Sequence, residues 1–281
     1  MPPRFGLSTR IVHDARLEPR HLALAARHGF TTLELSATRT HIDYANPAVL
    51  QALASGLAGE GLAVSAVRAP RADGLRNGAW VVPFSLASDD AAERRHALDE
   101  ATLALAIAPV IPYEVLIVHL ERPRGSGDAA TESLGAARKS LTVLAEAAEP
   151  LGVRLALASG GGPLSRPDAL VRLIERDLDE HHAGICLDFG HAHIHGGVAD
   201  AIEEAGEHMV AALLHDNHGR RDEHLAPFSG SLPWDPAMMS TQKIGYDGVL
   251  TLDVDGGADT AATLERVARA CERLRDMLVT F

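Results

Sequence analysis

The stretch Gly184-Ile-Cys-Leu-Asp-Phe-Gly-His191 sets an apolar run directly before an acidic side chain and an imidazole. The run 185–187 has the composition of a buried strand, and Asp188 ends it. A strand with such an end is expected to point ligand-type side chains into one mouth. The arrangement recurs downstream, where the apolar run 209–214 leads into His215-Asp-Asn-His218. Two strand ends with the same chemistry indicate adjacent strands of one parallel sheet.

Strand and helix signals alternate along the whole chain. The predicted strands are 4–8, 31–35, 62–67, 115–119, 153–158, 183–187, 209–215 and 249–254. Helices are predicted between them, the longest at 91–108, 129–151 and 261–278. Eight strands alternating with helices predict an α/β fold, a single (β/α)8 TIM barrel that spans residues 1–281 as one domain. The alternative is an open doubly wound sheet, which is disfavoured because no glycine-rich phosphate fingerprint follows the first strand.

The composition limits the class of partner. Hydrophobic residues make up 46% of the 281 residues and charged residues 23%, which predicts a large core and argues against disorder. The net charge of -12 and the lack of a dense Lys/Arg run disfavour nucleic-acid binding and favour a small-molecule ligand. Two cysteines occur, and Cys186 lies in an apolar strand, which favours a reduced, cytoplasmic protein. Neither an export signal nor a membrane span is expected.

The candidate site lies at the carboxyl ends of the strands, which form the functional face of such a barrel. The polar side chains expected at that face are Glu34, Arg68, His119, Asp188, His191, His215, Asp222, His224 and Asp253. Mixed sets of histidine and carboxylate suit zinc, manganese or iron. Two alternatives stay open. A chain with 15 histidines brings some to any mouth by chance, and Glu34, inside a strand, can be a buried salt-bridge partner. Two loops, 68–89 and 242–246, are predicted to cover the mouth.

Four motifs carry a resemblance to a known family. They are Gly29-Phe-Thr-Thr-Leu-Glu-Leu35, Gly184-Ile-Cys-Leu-Asp-Phe-Gly-His-Ala192, His215-Asp-Asn-His-Gly-Arg-Arg-Asp-Glu-His-Leu225 and Gly245-Tyr-Asp-Gly-Val-Leu-Thr-Leu-Asp-Val254. With them the chain resembles the xylose-isomerase-like barrel superfamily, which includes sugar-phosphate isomerases and epimerases and endonuclease IV. The resemblance covers nearly the whole chain. It implies a carbohydrate ligand and a divalent metal, which is zinc, manganese or another ion.

The isomerase and epimerase pattern is only partly present. In those relatives a Glu, an Asp, a His and a Glu, after strands five to eight, hold one metal, and the two Glu move protons. Here Asp188 matches, and Asp253 replaces the last Glu. Ala158 stands in place of the first Glu, and Leu213 in place of the His, with His215 nearby. The resemblance therefore implies an incomplete version of the usual metal site.

The endonuclease pattern is also partly present. Its third-metal ligands match His191, Asp222 and His224, and a further ligand matches His119, whereas Arg68 and Ala158 replace others. From both patterns we expect the metal ligands Asp188, His191, Asp222, His224 and Asp253. Asp253 and His191 are the expected catalytic residues. The expected substrate-binding residues are Glu34, Arg68, His119, His215 and Arg221, with Arg68 or Arg221 anchoring an anion.

Two functions follow from the resemblance. The first is an isomerase or epimerase that acts on a small sugar, polyol or keto-sugar with a divalent metal. The second is a non-catalytic relative that binds a sugar or sugar phosphate without needing a metal, which Ala158 and Leu213 favour. Cleavage of abasic DNA is disfavoured by the net charge and by Arg68. Members are often dimers or tetramers, so a homo-oligomer is one expectation, although no segment indicates a specific interface.

Overall fold

The computed structural model describes residues 4–76, 78–123, 131–178 and 181–279. The strands are β1 (Arg4–Ser8), β2 (Thr32–Ser36), β3 (Ala63–Arg68), β4 (Ala72–Arg76), β5 (Ala79–Pro83), β6 (Val115–Val118), β7 (Arg154–Ala158), β8 (Ala183–Asp188), β9 (Met209–Leu214) and β10 (Val249–Leu252). The α-helices are α1 (Pro19–Arg27), α2 (Pro47–Gly59), α3 (Ala91–Leu105), α4 (Leu134–Ala148), α5 (Pro167–Asp177), α6 (Phe189–His195), α7 (Val198–Ala205), α8 (Trp234–Lys243) and α9 (Thr260–Val279).

Eight of the strands close into a parallel barrel in the order β1-β10-β9-β8-β7-β6-β3-β2. At the closure, β1 pairs with β10, where Leu7 lies opposite Leu252, and with β2, where Ser8 lies opposite Glu34. The predicted (β/α)8 TIM barrel is thus confirmed, and the open doubly wound sheet is excluded. Because the strands are parallel, all of their carboxyl ends meet at one face.

Small apolar side chains fill the barrel interior below that face. The ones that pack together are Ala66, Ile117, Ala156, Ala158, Cys186, Ala211 and Leu213. A larger apolar cluster includes the strand residues Leu116 and Leu157 and the helix residues Leu141 and Leu144, all of them fully buried. The barrel is therefore packed on both sides of its wall, and charged side chains such as Asp188 enter it near the carboxyl ends of the strands.

The segment 68–89, predicted as a loop, contains the antiparallel hairpin β4–β5. Leu75 of β4 lies opposite Trp80 of β5. Thr40 attaches the hairpin to the barrel, because its hydroxyl accepts a hydrogen bond from the Leu75 amide at 3.0 Å. Gly74 leaves room for this contact, since a β-carbon there would lie 2.7 Å from the Thr40 methyl group. The hairpin brings Trp80 to the wall of the mouth.

The helix ends differ from the prediction by a few residues. The third helix ends at Leu105, and the fourth begins at Leu134, where the Ser133 hydroxyl caps its first turn. The predicted start of the fourth helix, at 129–130, lies outside the described residues. The predicted loop 242–246 is partly helical, since α8 extends to Lys243. No helix within the described ranges has both the length and the apolar composition that crossing a membrane requires.

Candidate functional site

Three strand ends hold a buried ion-pair group made of Glu34, Arg68 and Asp253. The Arg68 guanidinium donates from Nε to Glu34 at 3.1 Å and from both Nη atoms to the two oxygens of Asp253 at 3.1 and 2.9 Å. The Ser8 hydroxyl also donates to Glu34. Both carboxylate residues are 0% exposed. Glu34 is therefore a buried salt-bridge partner, which is one of the two interpretations that the sequence left open.

Arg68 sets the charge of this group. Burial raises the pKa of Glu34 in spite of the neighbouring guanidinium. Burial alone would also raise the pKa of Asp253, but Arg68 and then His224 hold it well below its usual range. Burial works against the charge of Arg68 as well, yet the two carboxylates keep its pKa above the ordinary value. The Arg68 guanidinium thus lies between the carboxylates of Glu34 and Asp253 and supplies the positive charge that they would otherwise need from another cation.

Asp188, at the end of β8, is paired with His215. The Nε2 atom of His215 lies 3.0 Å from the Asp188 carboxylate, and both side chains are buried. The same carboxylate accepts a hydrogen bond from the His191 amide at 2.8 Å. Burial alone would lower the pKa of His215, but Asp188 raises it to about 9. We expected Asp188 to lack a histidine partner because Leu213 occupies the matching position. His215 supplies one instead, since Leu213 and His215 both turn toward the barrel interior.

A second carboxylate, Asp222, lies among three imidazoles. Its oxygens lie 3.2 Å from Nε2 of His224, 3.4 Å from Nε2 of His191 and 3.6 Å from Nε2 of His215. The rings of His215 and His224 stack with their centres 3.9 Å apart. The opposite nitrogen of His224, Nδ1, lies 2.7 Å from the Asp253 backbone carbonyl and donates to it. Four side chains that are separate in the sequence therefore converge on one point.

This set of donors fits a divalent metal. Burial, followed by the charge of His215, lowers the pKa of His224, so the ring is neutral and its proton sits on Nδ1. Its Nε2 lone pair and the Asp222 carboxylate are then two acceptors that face each other, an arrangement that a cation stabilises. One donor atom each from His215, Asp222 and His224 lies within 4.8 Å of the others. Two carboxylates with several imidazoles suit zinc, manganese or iron.

The backbone around His224 is held in a strained form. His224 has a φ of 46°, a left-handed conformation that costs energy for a residue with a β-carbon. Hydrogen bonds on both sides fix it. The His224 carbonyl accepts from the Asp255 amide at 3.0 Å, and Leu225 is paired with Asp216 in an antiparallel bridge. These hydrogen bonds therefore hold the strained backbone conformation of His224, in which its imidazole ring faces Asp222.

Asp188, His191, Asp222 and His224 line a cavity of about 600 Å³ at the mouth of the barrel. His119 lines it, and burial, followed by the charges of Arg71 and Arg68, holds the pKa of His119 well below its usual range. Arg221 lies exposed at the rim. Ala158 forms part of the floor and is 1% exposed. The structure therefore brings all of the sequence-selected side chains to one mouth, but in two groups, one around Arg68 and one around Asp222.

Sequence reasoning missed several polar side chains of the mouth, among them Arg71. It follows β3 and lies in the segment 68–89, which was treated only as a cover. The glycines 160–162 after β7 also line the cavity and were not predicted to do so. A signal existed in both cases, because each segment directly follows a strand that feeds the functional face.

Comparisons with known proteins agree with this architecture. Residues 22–277 match the family described as the xylose isomerase-like TIM barrel. The chain belongs to this family. This family member keeps an acid at the end of β8, Asp188, but has Ala158 at the end of β7.

The similar proteins add the following. An uncharacterized protein of Methanocaldococcus jannaschii, MJ1311, is 30% identical over 148 residues, which are 50% of this chain and 50% of that protein. The alignment thus spans half the length of this curated relative. A D-tagatose 3-epimerase-like protein superposes with a TM-score of 0.79 at 23% identity, over 98% of this chain and 100% of that one. A D-psicose 3-epimerase structure determined in the presence of D-fructose gives 0.78 at 18% identity, over 98% and 99%. At such identities the likeness establishes the fold.

Proposed function

We propose that this chain binds one divalent metal between His215, Asp222 and His224, with Asp188 beside them. With that metal it would act as an isomerase or epimerase on a small sugar, polyol or keto-sugar. The similarity in fold to sugar epimerases supports the class of substrate. A cytoplasmic location and a homo-oligomeric state belong to the same proposal and rest on the sequence alone.

One observation carries the proposal. The neutral Nε2 of His224 faces the Asp222 carboxylate at 3.2 Å, while Nδ1 of the same ring is committed to the Asp253 carbonyl. A hydrogen bond to a backbone carbonyl on the far side is how proteins orient a metal-binding imidazole. Without a cation the two acceptors would repel each other. With one, both become ligands.

The residues of the chain would divide the work as follows. A metal held by these residues would supply Lewis-acid polarisation of a substrate carbonyl or hydroxyl oxygen. His119 and His191 line the cavity, and each has a buried Nδ1 atom with no hydrogen-bond partner among the described residues. We assign proton transfer at the substrate carbon to these two rings. Asp253, the base expected from the family pattern, is engaged by Arg68 and would orient His224 through its backbone.

Metal analysis of the full chain, purified without chelator, tests this proposal. We expect about one equivalent per chain. Asp222→Asn should lose it, because the amide keeps the size of the side chain but removes the charge. Glu223→Gln is the matched control, since the neighbouring carboxylate faces His218 rather than the imidazole cluster. Equal metal content in the two variants, or no metal in the parent protein, would contradict the proposal.

Catalysis has its own test. An isomerase or epimerase that removes and returns a proton at carbon, as proposed for these two rings, exchanges that hydrogen with solvent. Incubation of the loaded protein with ketoses and their phosphates in D2O should therefore place deuterium on carbon. The exchange is followed by proton NMR. His119→Gln and His191→Gln should each slow it by roughly 100-fold or more. Exchange at the parental rate in both variants would remove these rings from the mechanism.

A second candidate function is binding without catalysis, and one feature favours it. Ala158 replaces a proton-transferring Glu of the family pattern and packs in one apolar cluster with Cys186 and Leu213 at the floor of the cavity. A protein of this kind would bind a sugar or sugar phosphate and leave its carbon-bound hydrogens unexchanged. If Ala158→Glu gave exchange to an inactive parent, the parent would be such a binding protein.

A further inference from the structure

The mouth carries far more positive charge than the composition of the chain suggests. The net charge of the chain is -12, yet the wall of the cavity includes the arginines Arg10, Arg68, Arg71, Arg122, Arg220 and Arg221. Three of these arginines, Arg10, Arg68 and Arg122, are paired with carboxylates. Arg10 pairs with Asp255 at 2.9 Å, and Arg122 is paired with Glu93. Arg68 is shared between Glu34 and Asp253, as described above.

Arg71 is different. Within the described part of the chain no carboxylate lies within 4.0 Å of its guanidinium. Among the residues that the structure describes, it donates one hydrogen bond, from Nη2 to the backbone carbonyl of Glu121 at 3.3 Å, and its buried Nε has no partner there. The side chain lines the cavity. A buried N–H group without an acceptor is costly, so this site is incomplete as it stands.

The carboxylate of Glu121, whose backbone carbonyl accepts from Arg71, is bonded to other groups. The Glu121 carboxylate bonds to the Ser165 hydroxyl and accepts from the Leu164 amide at 3.4 Å. It lies directly against Gly162, where a β-carbon would come within 2.0 Å of it. The glycines after β7 therefore leave room for the Glu121 carboxylate, and this carboxylate does not neutralise Arg71.

The charges around Arg71 also favour the binding of an anion. Burial, followed by the positive charges of Arg68 and Arg10, lowers the pKa of Arg71 to about 10. At neutral pH the group is still a cation, and the positive charges of Arg68 and Arg10 act on it more strongly than the negative charges of Asp222 and Glu132. A forked guanidinium in such surroundings is suited to bind a phosphate or a carboxylate through two hydrogen bonds.

We propose that Arg71 anchors an anionic group of the ligand, so that the mouth takes a phosphorylated or carboxylated polyol rather than a neutral sugar. The inference rests on the proposed function for the carbohydrate class of the ligand and deepens it. It also moves the anion site from Arg68 and Arg221, the residues expected from the sequence, to a residue on the hairpin side of the mouth. Trp80 lines the same cavity.

Calorimetric titration of the full chain tests the inference with four probes: D-fructose 6-phosphate, D-gluconate, D-fructose and inorganic phosphate. At least one anionic polyol should bind more tightly than D-fructose, and the first two probes show whether a phosphate or a carboxylate is preferred. Arg71→Gln should weaken that binding by about tenfold or more. Arg71→Lys, which keeps the charge but loses the fork, should retain part of it.

Arg176→Gln, an exposed charge loss on α5, is the matched control. Thermal midpoints check that each variant is folded. The inference is overturned if no anionic probe binds, if D-fructose binds as tightly as the anions, or if Arg71→Gln behaves like Arg176→Gln. It is also overturned if Arg221→Gln, and not Arg71→Gln, causes the loss. Metal content, measured on the same samples, separates this result from the proposed metal site, because either can fail while the other stands.

Discussion

Replacement of Arg68 by Gln should destabilise the fold strongly. The substitution removes the one guanidinium that lies within 3.3 Å of both Glu34 and Asp253, two residues that are 0% exposed. Removal of one partner from a buried ion pair costs about 3–5 kcal/mol, because the remaining charge is left unpaired. Here two carboxylates are left, so we expect a loss of free energy of unfolding at the upper end of that range. Urea denaturation at pH 7 measures it.

The pH dependence of this loss gives a sharper check. Without Arg68 the pKa of Glu34 rises further above its unfolded-state value, so the folded protein takes up a proton before the unfolded one does. The destabilisation should therefore shrink as the pH falls from 7 to 5. In the double variant Glu34→Gln/Arg68→Gln the loss should be smaller than in Arg68→Gln alone. A cost below about 1 kcal/mol, or one that is the same at both pH values, would refute the reasoning.

Three further predictions concern other parts of the molecule. His41 is 1% exposed, its Nδ1 is bonded to the Ala15 carbonyl, and burial lowers its pKa to about 4. The free energy of unfolding should therefore fall by about 3 kcal/mol as the pH drops from 6.5 to 4. His41→Gln should flatten that pH dependence in urea titrations. Gly190→Ala should reduce metal affinity, because its β-carbon would lie 1.9 Å from the His215 ring, whereas Gly135→Ala on α4 should leave the affinity unchanged. Dialysis against a chelator should lower the thermal midpoint, by an amount equivalent to about 2.7 kcal/mol if the free metal was at 100 times its Kd; an unchanged midpoint would count against a resident metal.

The barrel could be predicted because its signals are local. Several strands are apolar runs that end in or are followed by a polar residue, as at Asp188. Several helices begin at a side-chain cap such as Asn46, whose side chain accepts from the Ala48 amide. The hairpin β4–β5 was missed because β4 holds few apolar residues and its attachment to Thr40 joins segments that are distant in the sequence.

The site was predictable as a set of residues but not as an arrangement. The family pattern gave Asp188, Asp222 and His224 their positions at the mouth. It did not reveal that Arg68 would bind two acids at once, because that depends on the geometry of three strand ends. Nor did it reveal that His215 would reach Asp188, because the direction of a side chain just past a strand end depends on how regular the strand stays.

We infer that two cations occupy separate places at the mouth. The Arg68 guanidinium lies between Glu34 and Asp253, and a metal ion binds beside it at Asp222 and His224. Anomalous diffraction from crystals of the protein, recorded at the absorption edge of the bound metal, tests this most directly. We predict one peak at about 2.0–2.2 Å from Nε2 of His224 and from an Asp222 oxygen, with Arg68 still bound to Glu34 and Asp253. A peak between Glu34 and Asp253 with Arg68 displaced, or no peak in crystals grown with added metal, would contradict the claim.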